Sequence, residues 1–141
     1  MSLSVSIDFT EFLGVVEHIM RARHPIMLRG RHGIGKSEVV YQIAEVAGKI
    51  IGLETEEMPV VERRASQMTE GDLLGLPSID GNKTCWNPPD WFKQACEMPV
   101  VLFLDEIDRA VPEVRQGIFQ LTDSRTISGW KLHPDTLIFG A

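Results

Sequence analysis

The chain has few cysteines and no long apolar run, and these shortages narrow its class. Its two cysteines, Cys85 and Cys96, lack the spacing of a metal site, so we expect reduced structural thiols of the kind found in cytoplasmic proteins. No apolar stretch approaches the length of a membrane span, and the start has no signal-peptide pattern. These absences predict a cytoplasmic protein with no membrane partner.

Positive charge is also scarce. The net charge is −6, which argues against direct, nonspecific binding of nucleic acid or of an anionic membrane by these residues. With 43% hydrophobic and 24% charged residues, the 141-residue chain has the composition of one ordinary globular domain.

Acidic residues are absent from one segment of this acidic chain. None lies between Glu17 and Glu38, whereas five basic residues do. This segment contains Gly30, four residues and then Gly35-Lys36-Ser37, the spacing of a phosphate-binding loop. Glycines let a loop wrap its N–H groups around a polyphosphate, and a following helix adds its dipole. The alternative is a chance glycine-rich turn before a helix. The predicted ATP- or ADP-binding residues are Gly30, Arg31, His32, Gly33, Ile34, Gly35, Lys36, Ser37 and Glu38.

Lys36 and Ser37 have separate predicted roles in this loop. The Lys36 ammonium is predicted to reach the β- and γ-phosphates, and the Ser37 hydroxyl to ligate Mg²⁺. The flanks predict a strand over 25–28 and a helix from Lys36 to about Gly48. An earlier apolar stripe predicts a helix over residues 8–23.

The most apolar run, residues 99–104, is followed by Asp105 and Glu106. A continuous apolar run is typical of a strand buried on both faces of a parallel sheet, whose carboxyl end faces the ligand crevice. We therefore expect Asp105 to hold Mg²⁺ and Glu106 to act as the general base toward water. A strand that merely ends in a polar turn is the alternative interpretation.

Between these motifs, residues 59–65 predict a second strand and residues 76–86 a β-hairpin that turns at Asp80-Gly81-Asn82. We expect Trp86 to be partly buried at the base of this hairpin. Asp90 is predicted to cap a short helix.

The two motifs together resemble an AAA+ ATPase of the MoxR and dynein-related branch. Residues 104–110 resemble its extended Walker B signature, and residues 72–77 resemble the entry to the hairpin inserted into its second helix. Asp90 stands where that family has glycine, which is a departure. The resemblance implies an α/β three-layer sandwich with a parallel central sheet. It also implies Mg²⁺-dependent ATP hydrolysis in a homo-oligomeric ring, a hexamer, that remodels a protein substrate or a von Willebrand A-type partner.

The resemblance also organises the end of the chain. It implies a helix from Pro112 that ends at Arg125, a hairpin over 126–133 and the sensor-1 strand over 136–141. We expect Arg125 to pair with a carboxylate or with the helix carboxyl terminus. On this basis residues 1–141 are an incomplete core without the fifth strand and helical lid, expected to bind nucleotide weakly, assemble poorly and turn over little ATP.

The sequence leaves other functional classes open. Asp72-Leu73-Leu74-Gly75 resembles a GTPase motif but follows no apolar strand, and residues 82–85 lack the aspartate of a guanine-reading motif. A kinase would avoid activating water, so Glu106 favours hydrolysis. A nucleotide-regulated scaffold with little turnover is the main alternative to an ATP-driven remodelling domain.

Overall fold

The computed structural model of the protein describes residues 9–28, 36–53 and 58–141. Its helices are α1 (Phe9–Ala22), α2 (Lys36–Ile51), α3 (Glu70–Leu74), α4 (Asp90–Glu97) and α5 (Pro112–Ser124). Its strands are β1 (Ile26–Met27), β2 (Val60–Arg64), β3 (Leu76–Asp80), β4 (Lys83–Asn87), β5 (Val101–Asp105), β6 (Thr126–Ile127), β7 (Trp130–Lys131) and β8 (Leu137–Gly140). None of the described helices is long and apolar enough to cross a membrane.

Four strands form a parallel sheet in the order β1-β8-β5-β2. The central strand β5 is buried on both faces, as its unbroken apolar sequence predicts. Val101 and Phe103 pack in the cluster that contains α1 and α2, whereas Leu102 and Leu104 pack in the cluster that contains α4 and α5. Helices therefore cover both faces of the sheet, and the predicted α/β three-layer sandwich is confirmed.

The first helical layer differs from the prediction at one end. α2 passes through Gly48 and ends at Ile51. Gly52 then adopts a φ of 73°, its N–H donates to the carbonyl of Lys49, and the Leu53 N–H donates to the carbonyl of Gly48. This pair of bonds is a Schellman motif, which needs a residue in the left-handed region. The prediction stopped at the wrong glycine because Gly48 fits inside the helix, where nothing requires a positive φ.

In the second helical layer, the N-cap of α4 lies one residue before the predicted one. Pro89 is the N-cap of α4, and Asp90 lies in the first turn of the helix. Trp91 and Phe92 follow and are buried, with their rings edge to face at 5.7 Å. In α5, Pro112 occupies the first turn, where a residue without an N–H is tolerated. Arg125 caps this helix, as predicted.

Both predicted hairpins are present. β3 and β4 pair in antiparallel register, with Asp80 opposite Lys83 across the Gly81-Asn82 turn. β6 and β7 form the second hairpin. The Trp130 indole N–H donates to the carbonyl of Trp86 at 3.0 Å and so connects the two hairpins. Trp86 keeps 43% of its surface exposed, so it is partly buried, although it still lies among the exposed large apolar residues.

The two cysteines are free thiols. Cys85 is exposed on β4, and Cys96 lies in α4 against the core. Burial, with a smaller contribution from Glu97, raises the pKa of the Cys96 thiol to about 11. Cys96 is therefore protonated at neutral pH and behaves as a small apolar residue.

Candidate nucleotide site

The candidate site lies at the carboxyl edge of the parallel sheet. Because β1 and β2 are parallel, the helix α2 that connects them must run back across the sheet, and its amino terminus lies at this edge. Asp105 ends β5 and Arg64 ends β2 at the same edge. The fold thus brings the start of α2 and the two carboxylates of the sequence prediction to one end of the molecule.

The predicted phosphate-binding loop falls largely outside the described residues. Gly30, Arg31, His32, Gly33, Ile34 and Gly35 all belong to this undescribed stretch. The backbone of Lys36 and Ser37 forms the first residues of α2, but their side chains are also outside the description. Glu38 is exposed in the first turn of α2. The roles assigned to these residues therefore stay predictions.

Asp105 is half-buried at the end of β5. Side chains alternate between faces along a strand, so Asp105 lies on the same face as Phe103, the face covered by α2. Its Oδ1 accepts a hydrogen bond of 2.9 Å from the backbone N–H of Glu106. This bond restrains the carboxylate at the carboxyl end of β5.

Glu106 adopts the left-handed backbone conformation, with φ 56° and ψ 39°. A non-glycine residue in this region costs roughly 1–2 kcal/mol, so the surrounding contacts must hold it there. Its Oε2 accepts a hydrogen bond from the Ser66 hydroxyl, and its Oε1 lies 3.8 Å from a guanidinium nitrogen of Arg109. Arg109 is mostly exposed, so water screens this ion pair and Ser66 makes the more specific contact.

Ser66 is a site residue that the sequence prediction missed. It belongs to a 3₁₀ turn, Ala65–Gln67, that directly follows β2. The buried Ala65 anchors this turn in the core. The sequence signal was available in principle, because a small polar residue directly after a parallel strand lies at the ligand-binding edge. Its pairing with Glu106 spans 40 residues and is visible only in the fold.

The chemistry of these groups fits Mg²⁺. Magnesium prefers oxygen ligands and is usually held by one or two protein groups together with phosphates and water. Asp105 supplies a carboxylate at the correct edge, and Ser37 would add a hydroxyl from the start of α2. Among the described residues, no group of three histidine, cysteine or acidic side chains is arranged to hold a metal by itself.

Arg125 has a different role from the predicted ones. Its guanidinium donates to the backbone carbonyls of His133 at 2.9 Å and Thr136 at 2.7 Å; among the described residues it bonds neither a carboxylate nor its own helix. Burial chiefly, and then the nearby charge of Arg23, lower the pKa of Arg125. Asp135 contributes only a smaller opposing effect on that pKa. Arg125 thus fixes the segment that leads into β8.

The parallel sheet and the helices that cover both its faces define the class of the protein, a three-layer α/β domain, with the Asp105-Glu106 pair at the end of its central strand. The chain belongs to the AAA domain family of the dynein-related subfamily, whose model matches residues 25–135. The resemblance inferred from the sequence motifs is therefore confirmed.

Two relatives resemble this chain in sequence, and one solved structure resembles it in fold. The chain is 34% identical to midasin of Giardia intestinalis over 109 residues, covering 75% of the chain and 2% of midasin. It is 31% identical to protein CbbQ of Hydrogenophilus thermoluteolus over 106 residues, covering 74% of the chain and 36% of CbbQ. A solved structure from Cytophaga hutchinsonii, described as a presumed ATPase, shares the fold with a TM-score of 0.57 at 14% identity. That match covers 92% of this chain and 36% of the other. The chain thus spans about a third or less of the length of these proteins.

Proposed function

We propose that this domain binds ATP with Mg²⁺ and hydrolyses it. The single observation that carries the proposal is the position of Glu106. Its carboxylate lies at the carboxyl end of the central strand, its backbone is held in a costly conformation, and Ser66 fixes its Oε2. Costly backbone conformations of this kind concentrate at functional sites. Membership of the AAA domain family favours ATP as the nucleotide that binds here.

In this proposal each residue has one task. Lys36 contacts the β- and γ-phosphates as a cation, and the loop from Gly30 to Gly35 donates backbone N–H groups to them. Asp105 and Ser37 would hold Mg²⁺, and the ion would supply positive charge to offset that of the phosphates. Glu106 accepts the proton of the attacking water through a carboxylate oxygen.

The larger assembly also belongs to the proposal. We infer a cytoplasmic, homo-oligomeric ring, a hexamer, that remodels a protein substrate or a von Willebrand A-type partner. The supporting feature is the β3–β4 hairpin, whose residues are all exposed, with Leu76 at 68% and Ile79 at 82%. Exposed apolar side chains on a projecting hairpin suit contact with another protein.

Glu106→Gln tests the catalytic role, with Glu113→Gln as a matched control. Glu113 is an exposed glutamate in the first turn of α5, and the proposal gives it no role. We expect Glu106→Gln to bind ATP as the unaltered protein does but to lose roughly 10²-fold in turnover, because the amide cannot accept the proton. Glu113→Gln should keep both properties.

Two results would count against this account. Normal turnover in Glu106→Gln would show that another group is the base. Nucleotide binding that changes the oligomeric state while the unaltered protein shows no Glu106-dependent turnover would favour the nucleotide-regulated scaffold instead.

A further inference from the structure

A cleft of about 370 Å³ opens at the base of the β3–β4 hairpin. Arg63 and Arg64, the last two residues of β2, form one of its walls. Asp72 lies in the helix that leads into the hairpin, and Pro89 and Trp91 follow the hairpin; these three residues line the cleft as well. The two ends of the hairpin and the end of β2, an outer strand of the described sheet, thus build the cleft together.

Arg63 is exposed, yet its guanidinium is held in place. The guanidinium lies 5.9 Å from the ring centroid of Trp91, and its Nη1 donates to the carbonyl of Glu62 at 2.8 Å. Trp91 is buried, and its indole N–H donates to the carbonyl of Asp72 at 3.0 Å. Stacking uses the flat face of a guanidinium, so the in-plane N–H donors that do not bond to Glu62 stay open to a ligand.

The positive charge of the cleft is not cancelled by the described residues that line it. Arg64 is exposed, and its side chain forms no hydrogen bond or ion pair with any described residue. Asp72 is the only acidic residue among the described lining residues, and its Oδ2 accepts the N–H of Thr69 at 2.9 Å in the capping box of α3. The cleft therefore has two guanidinium groups and one carboxylate, and that carboxylate already serves a helix cap.

These groups favour a short acidic peptide as the ligand. The planar fork of arginine matches a carboxylate, to which it commonly donates two parallel hydrogen bonds. Met68 and Trp91 line the same cleft and are each 7% exposed, so they offer apolar contact beneath the arginines. The net charge of −6 disfavours a long polyanion such as nucleic acid, whereas a short acidic segment needs only the two local charges.

We propose that this cleft binds a short acidic segment of a partner protein, whose carboxylates bond to Arg63 and Arg64. The position of the cleft supports this occupant, because it adjoins the hairpin that the proposed function gives to contact with another protein. The inference rests on that part of the proposed function and is independent of ATP turnover. It extends the contact surface from the exposed apolar hairpin to a charged cleft at its base.

Titration of the nucleotide-free protein with a synthetic peptide of alternating glutamate and leucine, followed by NMR, tests the inference. The indole N–H signal of Trp91 reports on the cleft and gives the affinity. A peptide with glutamine in place of glutamate should bind at least about tenfold more weakly, because it lacks the carboxylates. Arg63→Ala and Arg64→Ala should each lower the affinity for the glutamate peptide about tenfold. Arg21→Ala, at an exposed arginine of α1 on the opposite face of the sheet, is the control and should bind it normally.

Arg64→Ala separates a role in binding from a role in folding, because Arg64 bonds to no described residue whose contact would be lost. Arg64→Lys should restore part of the affinity, since it keeps the charge but not the fork. Equal affinity of Arg64→Ala and the unaltered protein for the glutamate peptide would overturn the inference, and so would equal affinity for the glutamate and glutamine peptides.

Two further arms separate this inference from its rivals. A single-stranded oligonucleotide that shifts the Trp91 signal at lower concentration than the glutamate peptide would overturn the inference in favour of nucleic acid. Glu106→Gln should bind the glutamate peptide as the unaltered protein does. Normal turnover in Glu106→Gln would therefore count against the proposed hydrolysis alone, and an unchanged peptide affinity in Arg64→Ala would count against the cleft alone.

Discussion

The hydroxyl of Ser66 donates a hydrogen bond to the carboxylate of Glu106, joining the turn after β2 to the end of β5. Neither residue is free to move alone, because Ala65 anchors one side in the core and Ile107 anchors the other. The contact therefore orients the Glu106 carboxylate, the proposed base, and core packing of the neighbouring residues holds the contact in place. A misplacement of about 1 Å can cost 10²-fold in rate, so such positioning matters for catalysis.

Ser66→Ala should lower the kcat for ATP by roughly tenfold and leave KM nearly unchanged, because the base loses its orientation while the phosphate contacts remain. Ser66→Thr is the matched control, since it keeps a hydroxyl, and should retain most of the kcat. Steady-state phosphate release measures both. Equal kcat values for Ser66→Ala and the unaltered protein would contradict a positioning role for Ser66.

Arg125→Ala should destabilise the fold, because two backbone carbonyls at the start of the last strand lose a charged donor. Hydrogen bonds to charged groups contribute roughly 1.5–3 kcal/mol each, so we expect the loss of both to lower the free energy of unfolding by about 3 kcal/mol. Urea denaturation measures this change. Arg21→Ala, at an exposed arginine in the last turn of α1, is the control and should change stability by less than about 0.5 kcal/mol. A loss in Arg125→Ala no larger than in this control would refute the anchoring role.

Gly75→Ala should cost more than about 2 kcal/mol of stability, because Gly75 connects α3 to the projecting hairpin with φ 83° and ψ −172°. An added Cβ there would lie only 2.0 Å from the carbonyl oxygen of Asn87. Gly14→Ala is the matched control, since Gly14 lies inside α1 with nothing within 4 Å of an added Cβ. Thermal unfolding should show Gly14→Ala as neutral or slightly stabilised, by up to about 1 kcal/mol. Equal melting temperatures for the two variants would contradict the tight junction.

Local patterns in the sequence were enough to predict most of the fold. The apolar run of β5 ends in Asp105 and Glu106, and this single pattern predicts both the central strand and the carboxylates at its end. The hairpin turn at residues 80–82 and the proline that starts α5 are likewise local signals, and both are confirmed. Each of these features depends on residues that are close together in the chain.

The features that sequence reasoning missed depend on contacts between distant residues. The bond from Ser66 to Glu106 needs the register of β2 against β5, which no single segment encodes. The cleft that Arg63 and Arg64 share with Trp91 likewise forms only when the fold brings α4 beside the end of β2. Arg125 was expected to find a carboxylate, but the fold places two backbone carbonyls within its reach.

The proposed function depends above all on phosphate binding by the segment that ends at Lys36 and Ser37. Titration calorimetry with Mg²⁺ and ATP, comparing Lys36→Ala with Lys49→Ala, tests it most directly. Lys49 is an exposed lysine in the last turn of the same helix, paired with Glu45 at 3.4 Å. We predict that Lys36→Ala weakens ATP binding by about 1.5–3 kcal/mol, the size of a charge-assisted contact, and that Lys49→Ala binds normally. Equal affinity of Lys36→Ala and Lys49→Ala for ATP would contradict the account.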